Sequence, residues 1–326
     1  MRNEKEKELM MAKLKKSGQS YTVVLLLVML AMIVVMSFVS PYFLTLENFK
    51  NVLNQSSIYL FLVVGMAYVI AAGEIDLSVG AIIGFEGMVM SNLYYAGVPA
   101  GVCLITGIIS SVIIGAFNGW LVAKFRINSF IVTLCTMTVM RGIVLLVMNS
   151  RTRYGFGPVF AFLGSGQIGI INMPILMAII AVIIADLIMR KTRYGVYTLF
   201  MGSNEVALSR AGVNTRRHKI SIFAFSGLLA GLAGIVVMGR LNSAEPLAGT
   251  GYEMDAIAAV ILGGTVLEGG KGSISGPFIA CIILNIIKDG LTLLGVSTHY
   301  QEIITGVIII ISVLVSGRDM RRKSEV

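Results

Sequence analysis

The sequence predicts an all-α bundle of about ten membrane-spanning helices with both termini in the cytoplasm, and three observations predict it. Of 326 residues, 56% are hydrophobic and only 13% charged, whereas a soluble domain carries about 25% charged residues. Mean hydropathy is +0.87, and the apolar residues gather in stretches long enough to cross roughly 30 Å of hydrocarbon. The basic residues fall in a pattern that a single orientation satisfies. Backbone facing lipid has no water to pair with, so each stretch must be a helix.

In order, the stretches run 21–39, 56–72, 79–95, 99–123, 129–148, 174–189, 220–239, 254–266, 274–294 and 300–316. The third is crowded with Gly and Met and the eighth is short, so each is either a full crossing or a half-helix, and ten is an upper count. The opening MRNEKEKELMMAKLKK is similar to the charged start of a secretion signal. However, the apolar run Tyr21 to Val39 exceeds the roughly 7–15 residues of a signal core and no small-x-small site follows, so an uncleaved first helix is expected. The chain then divides into a basic tail (1–20), one transmembrane domain (21–316) containing a polar cytoplasmic segment (190–219), and a second basic tail (317–326).

The positive charges test the count. Arg2, Lys5, Lys7, Lys13, Lys15 and Lys16 precede the first stretch, and Lys124 and Arg126 separate the fourth from the fifth. Arg190, Lys191, Arg193, Arg210, Arg216, Arg217 and Lys219 face a single acid, Glu205, in the polar segment, and Arg318, Arg321, Arg322 and Lys323 end the chain. Ten crossings put every cluster in the cytoplasm. In the two tails such charge orients the protein or meets anionic lipid; without interleaved aromatics it does not suit nucleic acid. Arg151 and Arg153 break the pattern by falling outside.

Within 190–219 a short helix of about two turns is expected. Asn204 is a good N-cap, Glu205 sits in the first turn, Arg210 in the last, and Gly212 can take the left-handed position that ends a helix. So short a helix is unstable alone, and its small Ala207 suits packing into a partner's groove.

Catalysis is not expected in this chain. GGTVLEGGKGS (263–273) misses the phosphate-loop spacing, with Thr265 where the first Gly should stand and Gly272 where Ser or Thr should; its glycines more plainly let the chain turn. His218 and His299 have no visible catalytic partner and suit a surface or interface. Cys103, Cys135 and Cys281 lie singly in apolar stretches, as small buried hydrophobes without metal-ligand spacing.

Five motifs in sequence order carry a resemblance over residues 45 to 316: GEIDLSVGAIIGF, NSFIVTLCTMTVMRG, GSNEVALSRAGVNTRRHKI, AVILGGTVLEGGKGSISGP and DGLTLLGVSTHYQEIITGVIIIISV. The chain resembles the membrane permease of ribose-, xylose-, arabinose- and galactoside-type sugar-uptake ABC transporters. The resemblance implies a bacterial inner-membrane homodimer, two cytoplasmic ATPase subunits that carry ATP and magnesium, and an external sugar-binding protein. It implies that the ATPase docks on 202–217, through Gly202, Asn204, Glu205, Ala207, Arg210, Gly212, Arg216 and Arg217. The family's usual Gly-Gly-Ile-Asp-Leu-Ser is here Gly73-Glu74-Ile75-Asp76-Leu77-Ser78. The external protein is expected to dock through Arg151 and Arg153.

Charges inside apolar stretches need protein or water around them, since a charge at the centre of a bilayer costs at least about 2.5–3.5 kcal/mol. Arg141 is the plainest case, with Glu74, Asp76, Glu86, Lys288 and Asp289 beside it. Either they are ion pairs that fix helix register, or some line the solute path with Ser78, Asn128 and Thr133. Gly73 and Gly80 loosen the backbone around a break, where Asp76 is expected to cap the next helix; Arg141 and Lys271 are candidate partners for Glu74. FSGLLAGLAGIVVMG repeats small residues at Gly227, Gly231 and at Ala230, Gly234, a face for close packing within the chain or against a second copy. A proton-coupled transporter using Glu74, Asp76 and Arg141 as a relay is the rival function.

Overall fold

The computed structural model describes residues 22–307 and 310, so the two basic tails lie outside the described residues. The helices are α1 (Thr22–Val39), α2 (Leu46–Ala71), α3 (Val79–Tyr95), α4 (Ala100–Phe125), α5 (Ser129–Val147), α6 (Pro158–Ser165), α7 (Met173–Lys191), α8 (Arg193–Arg210), α9 (Thr215–Leu241), α10 (Tyr252–Leu262) and α11 (Ser275–Leu293). A last helix, α12, is described over 298–307. Two antiparallel ladders of two residues per strand join the connections: β1 (Arg153–Tyr154) with β4 (Ser243–Ala244), and β2 (Gln167–Ile168) with β3 (Ile171–Asn172).

Among the described residues, seven helices are long and apolar enough to cross a membrane: α1, α2, α4, α5, α7, α9 and α11. The 17 residues of α3 and the 11 of α10 fall short of that length, and the tenth stretch runs beyond the described residues. Helix α6 was not anticipated, although Pro158 at its first turn is a start signal legible in sequence. Helix α8 also runs from Arg193 to Ser203, ahead of the short helix that the cap at Asn204 predicts.

α2 and α9 form the centre. Their apolar windows are 83% and 67% buried, against 11–28% for α1, α4, α5 and α7, which therefore present large apolar side chains outward. That division is what lipid demands of a bundle: the rim is as apolar as the core. Helices α4 and α9 approach so closely that a side chain on Gly227 would strike the Ser111 carbonyl, and one on Gly231 would press on the Ser111 side chain. The small-residue face of α9 is thus packed within the chain, leaving no room there for a second copy. Cys103 and Cys281 are buried, but Cys135 is exposed, because its position on α5 points away from the core rather than into it.

Candidate functional site

The corner between α8 and α9 is built from local signals. Asn204 leaves helical geometry (φ −163°, ψ 93°), splitting α8 in two, and its Oδ1 accepts a hydrogen bond from the Ala207 N–H at 2.9 Å. The second half ends in a Schellman closure. Gly212 takes φ +86°, its N–H donates to Ser209 O (3.0 Å), and the Val213 N–H donates to Leu208 O (3.4 Å). Asn214, missed in the sequence, then caps α9 by accepting from the Arg217 N–H at 3.0 Å; a capping residue just ahead of a helical run was the available signal.

This corner is seated on the break between α2 and α3. Gly202 packs where any Cβ would meet the Ala71 carbonyl and the Gly270 N–H, and the Gly270 N–H itself donates to Ala71 O at 2.9 Å. Gly73, at φ +78°, lies against the Glu268 carbonyl. Three separate segments, the end of α2, the kink of α8 and the glycine-rich turn 263–273, therefore meet backbone to backbone. The glycines of 263–273 let the chain turn against α2 and α8 there.

Lys219 joins the charges. It is 8% exposed, and its Nζ lies 2.7 Å from Glu74 Oε1 and 2.9 Å from Glu205 Oε2. The partner of Glu74 is thus Lys219, not Arg141 or Lys271: the start of α9 brings an ammonium to the break, while Arg141 lies against Gly84 of α3. Glu74 is the more enclosed partner, with side-chain exposure of 14% against 43% for Glu205. Less solvent screening makes its bond to Lys219 the stronger of the two.

A cleft of about 990 Å³ opens here, lined among others by Glu74, Asn128, Glu205, Arg210, Arg216 and Lys219. Lys124 and Arg126 also border it, so cations outnumber acids and the mouth is positive. Asn128 caps α5 by accepting from the Phe130 N–H at 2.9 Å, and it reaches the cleft.

Asp76, Ser78 and Thr133 lie elsewhere, fully buried. Asp76 Oδ1 accepts from the Ser78 N–H (3.0 Å) and Ser78 Oγ (2.6 Å), and Oδ2 accepts from Ser226 Oγ (3.1 Å). Asn118 Nδ2 donates to Ser78 Oγ at 2.9 Å, and Thr136 Oγ1 donates to Asn118 Oδ1 at 2.6 Å. Thr133 and Ser129 accept from the Leu77 and Ile75 N–H groups, both at 3.0 Å. The capping bond of Asp76 goes to the backbone N–H of Ser78, immediately ahead of the first residue of α3, and its other bonds go to the Ser78 hydroxyl and to Ser226 of α9.

The remaining charges divide similarly. Lys288 pairs with Asp255 at 2.6 Å, and Asp289 accepts from Asn48 at 2.8 Å. Glu86 is fully buried, and among the described residues neither of its oxygens has a hydrogen-bond partner. Arg153 is half-buried and donates to Asn92 and, at 3.4 Å, to Ser91, whereas Arg151 is exposed, as is Arg240 in the last turn of α9. His218 is buried rather than superficial: its Nε2 is 3.0 Å from Thr198 Oγ1 and its ring rests between Tyr194 and Tyr197, because α8 lies along α9 there.

A family model described as "Branched-chain amino acid transport system / permease component" matches residues 48–313. The chain is 40% identical over 297 residues to the ribose import permease protein of Escherichia coli, covering 90% of this chain and 92% of that one. It is 38% identical to the ribose import permease protein of Bacillus subtilis (88% and 90% covered) and 34% identical to the L-arabinose ABC transporter permease protein of Azospirillum brasilense (93% and 90% covered). No solved structure matches.

Proposed function

The chain belongs to this family of membrane permease components, and from that premise we propose that it is the membrane subunit of an ATP-driven importer of a ribose-like monosaccharide in the bacterial inner membrane. Names of relatives matched over nine-tenths of the chain support a sugar in preference to a branched-chain amino acid. Two copies form the path, two ATPase subunits grip the corner 202–217 from the cytoplasm, and an external binding protein delivers sugar. Ten crossings with both termini inside belong to this proposal, with α3 and α10 as the short ones.

The observation that carries it is Lys219. A motor pulling on the second half of α8 moves Glu205, and Lys219 links Glu205 to Glu74 in the break beside the cleft. Work done at the corner thereby reaches the path through two charge-assisted bonds. Gly202 keeps the corner tight against α2, so motion is passed on instead of absorbed. The cleft's excess of cations, Arg210 and Arg216 among them, suits an acidic surface on the ATPase, with Arg217 exposed next to Arg216 in the chain. Arg151, exposed, and Arg153, half-buried, are the candidates for binding-protein docking.

The test is uptake of D-ribose into proteoliposomes holding the permease, its ATPase and its binding protein. ATP-dependent uptake that a double charge reversal at Arg216 and Arg217 abolishes is expected. Uptake driven by a pH gradient with the ATPase left out would make the proton-coupled rival correct.

A further inference from the structure

Between β4 and α10 the chain abandons helix and runs along α3 toward the bundle interior. Ala244 faces Gly87, the carbonyls of Pro246 and Ala248 face Gly84, and Gly249 faces Gly80. The far end of α3 is marked by Tyr95, whose hydroxyl donates to Tyr154 O at 2.6 Å. At about 1.5 Å per residue, Gly80 lies about 22 Å along α3 from Tyr95. If Tyr95 stands at the edge of a hydrocarbon layer about 30 Å thick, the non-helical segment passes its midpoint.

Arg141 holds the segment in place. Its Nη1 donates to Ala248 O at 2.6 Å and lies 3.5 Å from Pro246 O. This is where the charge noted in α5 finds its use: it satisfies carbonyls that no helix can satisfy. Glu253, in the first turn of α10, is 8% exposed, and its Oε2 has no hydrogen-bond partner among the described residues. The outward side of the stretch carries Glu245, Leu247, Thr250 and Met254, all exposed.

Irregular backbone at this depth cannot face lipid and is tolerated only against protein or a water-filled cavity. A carboxylate and a hydroxyl on the same side carry the same restriction. Moreover, α10 has only 11 residues and begins at the segment's inner end, so it is a discontinuous helix, the feature that marks solute sites in transporters.

We propose that residues 245–254 are one wall of the solute path, that Arg141 latches this wall to α3, and that a polyhydroxyl solute passes the face bearing Glu245 and Thr250. The inference rests on reading the chain as a sugar permease.

The experiment uses the assembled transporter in right-side-out and inside-out vesicles, carrying Cys135→Ser so that the exposed native thiol is gone. Thr250→Cys and Leu247→Cys are reacted with a charged, membrane-impermeant methanethiosulfonate. Thr250→Cys should react far faster than the rim control Ile131→Cys, at a rate that changes severalfold between nucleotide-free and vanadate-trapped states and falls with D-ribose. Reaction no faster than Ile131→Cys, from either side and in both states, overturns the proposal. So does complete disulfide formation between two copies of Thr250→Cys with uptake unimpaired, which would make the face a subunit seam. Nucleotide-dependent labelling does not require that ribose be the solute, so a wrong sugar and a wrong wall give different results.

Discussion

Glu74 and Asp76 stand two residues apart in the same interhelical break, yet Glu74 borders a cleft and is paired with a cation while Asp76 is sealed among hydroxyls. At the cleft an ion pair can exchange partners, because water can take over either charge as the pair opens. In the core every donor around Asp76 is committed, and opening any bond leaves a polar group with nothing to replace it. One carboxylate is therefore suited to transmitting motion and the other to fixing the register of α3, α4, α5 and α9. Residue type alone does not separate the two roles; the partner does.

The comparison breaks most visibly at Asp76. Asp76→Ala leaves the Ser78 N–H, the Ser78 hydroxyl and the Ser226 hydroxyl without their acceptor. At about 1–3 kcal/mol for each stranded buried group, the variant should lose at least about 3 kcal/mol and assemble poorly. Thermal unfolding of the detergent-purified permease reads this directly; an unchanged midpoint would mean the network is not structural.

Lys219→Met should cost less stability, about 2 kcal/mol, since Glu74 and Glu205 both retain some access to water. Its larger consequence is functional: basal ATP hydrolysis by the assembled transporter should persist while stimulation by the loaded binding protein is lost. Stimulation at the wild-type level would remove Lys219 from the coupling chain. The smallest effect is expected at Glu205→Gln, within about 1 kcal/mol because the side chain is 43% exposed. Glu74→Gln should exceed it, and the reverse order would invert the ranking of the two bonds.

Much of this architecture was legible because it is local. Apolar length located the seven helices long and apolar enough to cross a membrane, and the cap at Asn204 with the left-handed Gly212 marked the corner, because capping depends only on residues three or four apart. Close packing of Gly227 and Gly231 was also readable from spacing. What escaped was non-local. Nothing near Glu74 in sequence points to Lys219, and two candidate cations closer to other motifs, Arg141 and Lys271, misled. The packing of residues 244–249 against α3 was invisible for a similar reason: the glycines that admit it, Gly80, Gly84 and Gly87, belong to α3. Ser78 and Thr133 were candidates for the path because small hydroxyls suit a sugar; the same chemistry suits a buried network, and the structure holds both in one.

The central claim, that the Asn204–Gly212 corner is where a separate motor acts, is tested most directly by crosslinking at Val206. This residue is 61% exposed and lines the cleft. In the Cys135→Ser background, Val206→Cys carrying a short bifunctional reagent should capture the ATPase subunit, and an impermeant thiol reagent added to intact cells should leave it untouched. Labelling of Val206→Cys from outside intact cells, with no ATPase adduct in membranes, would contradict the account.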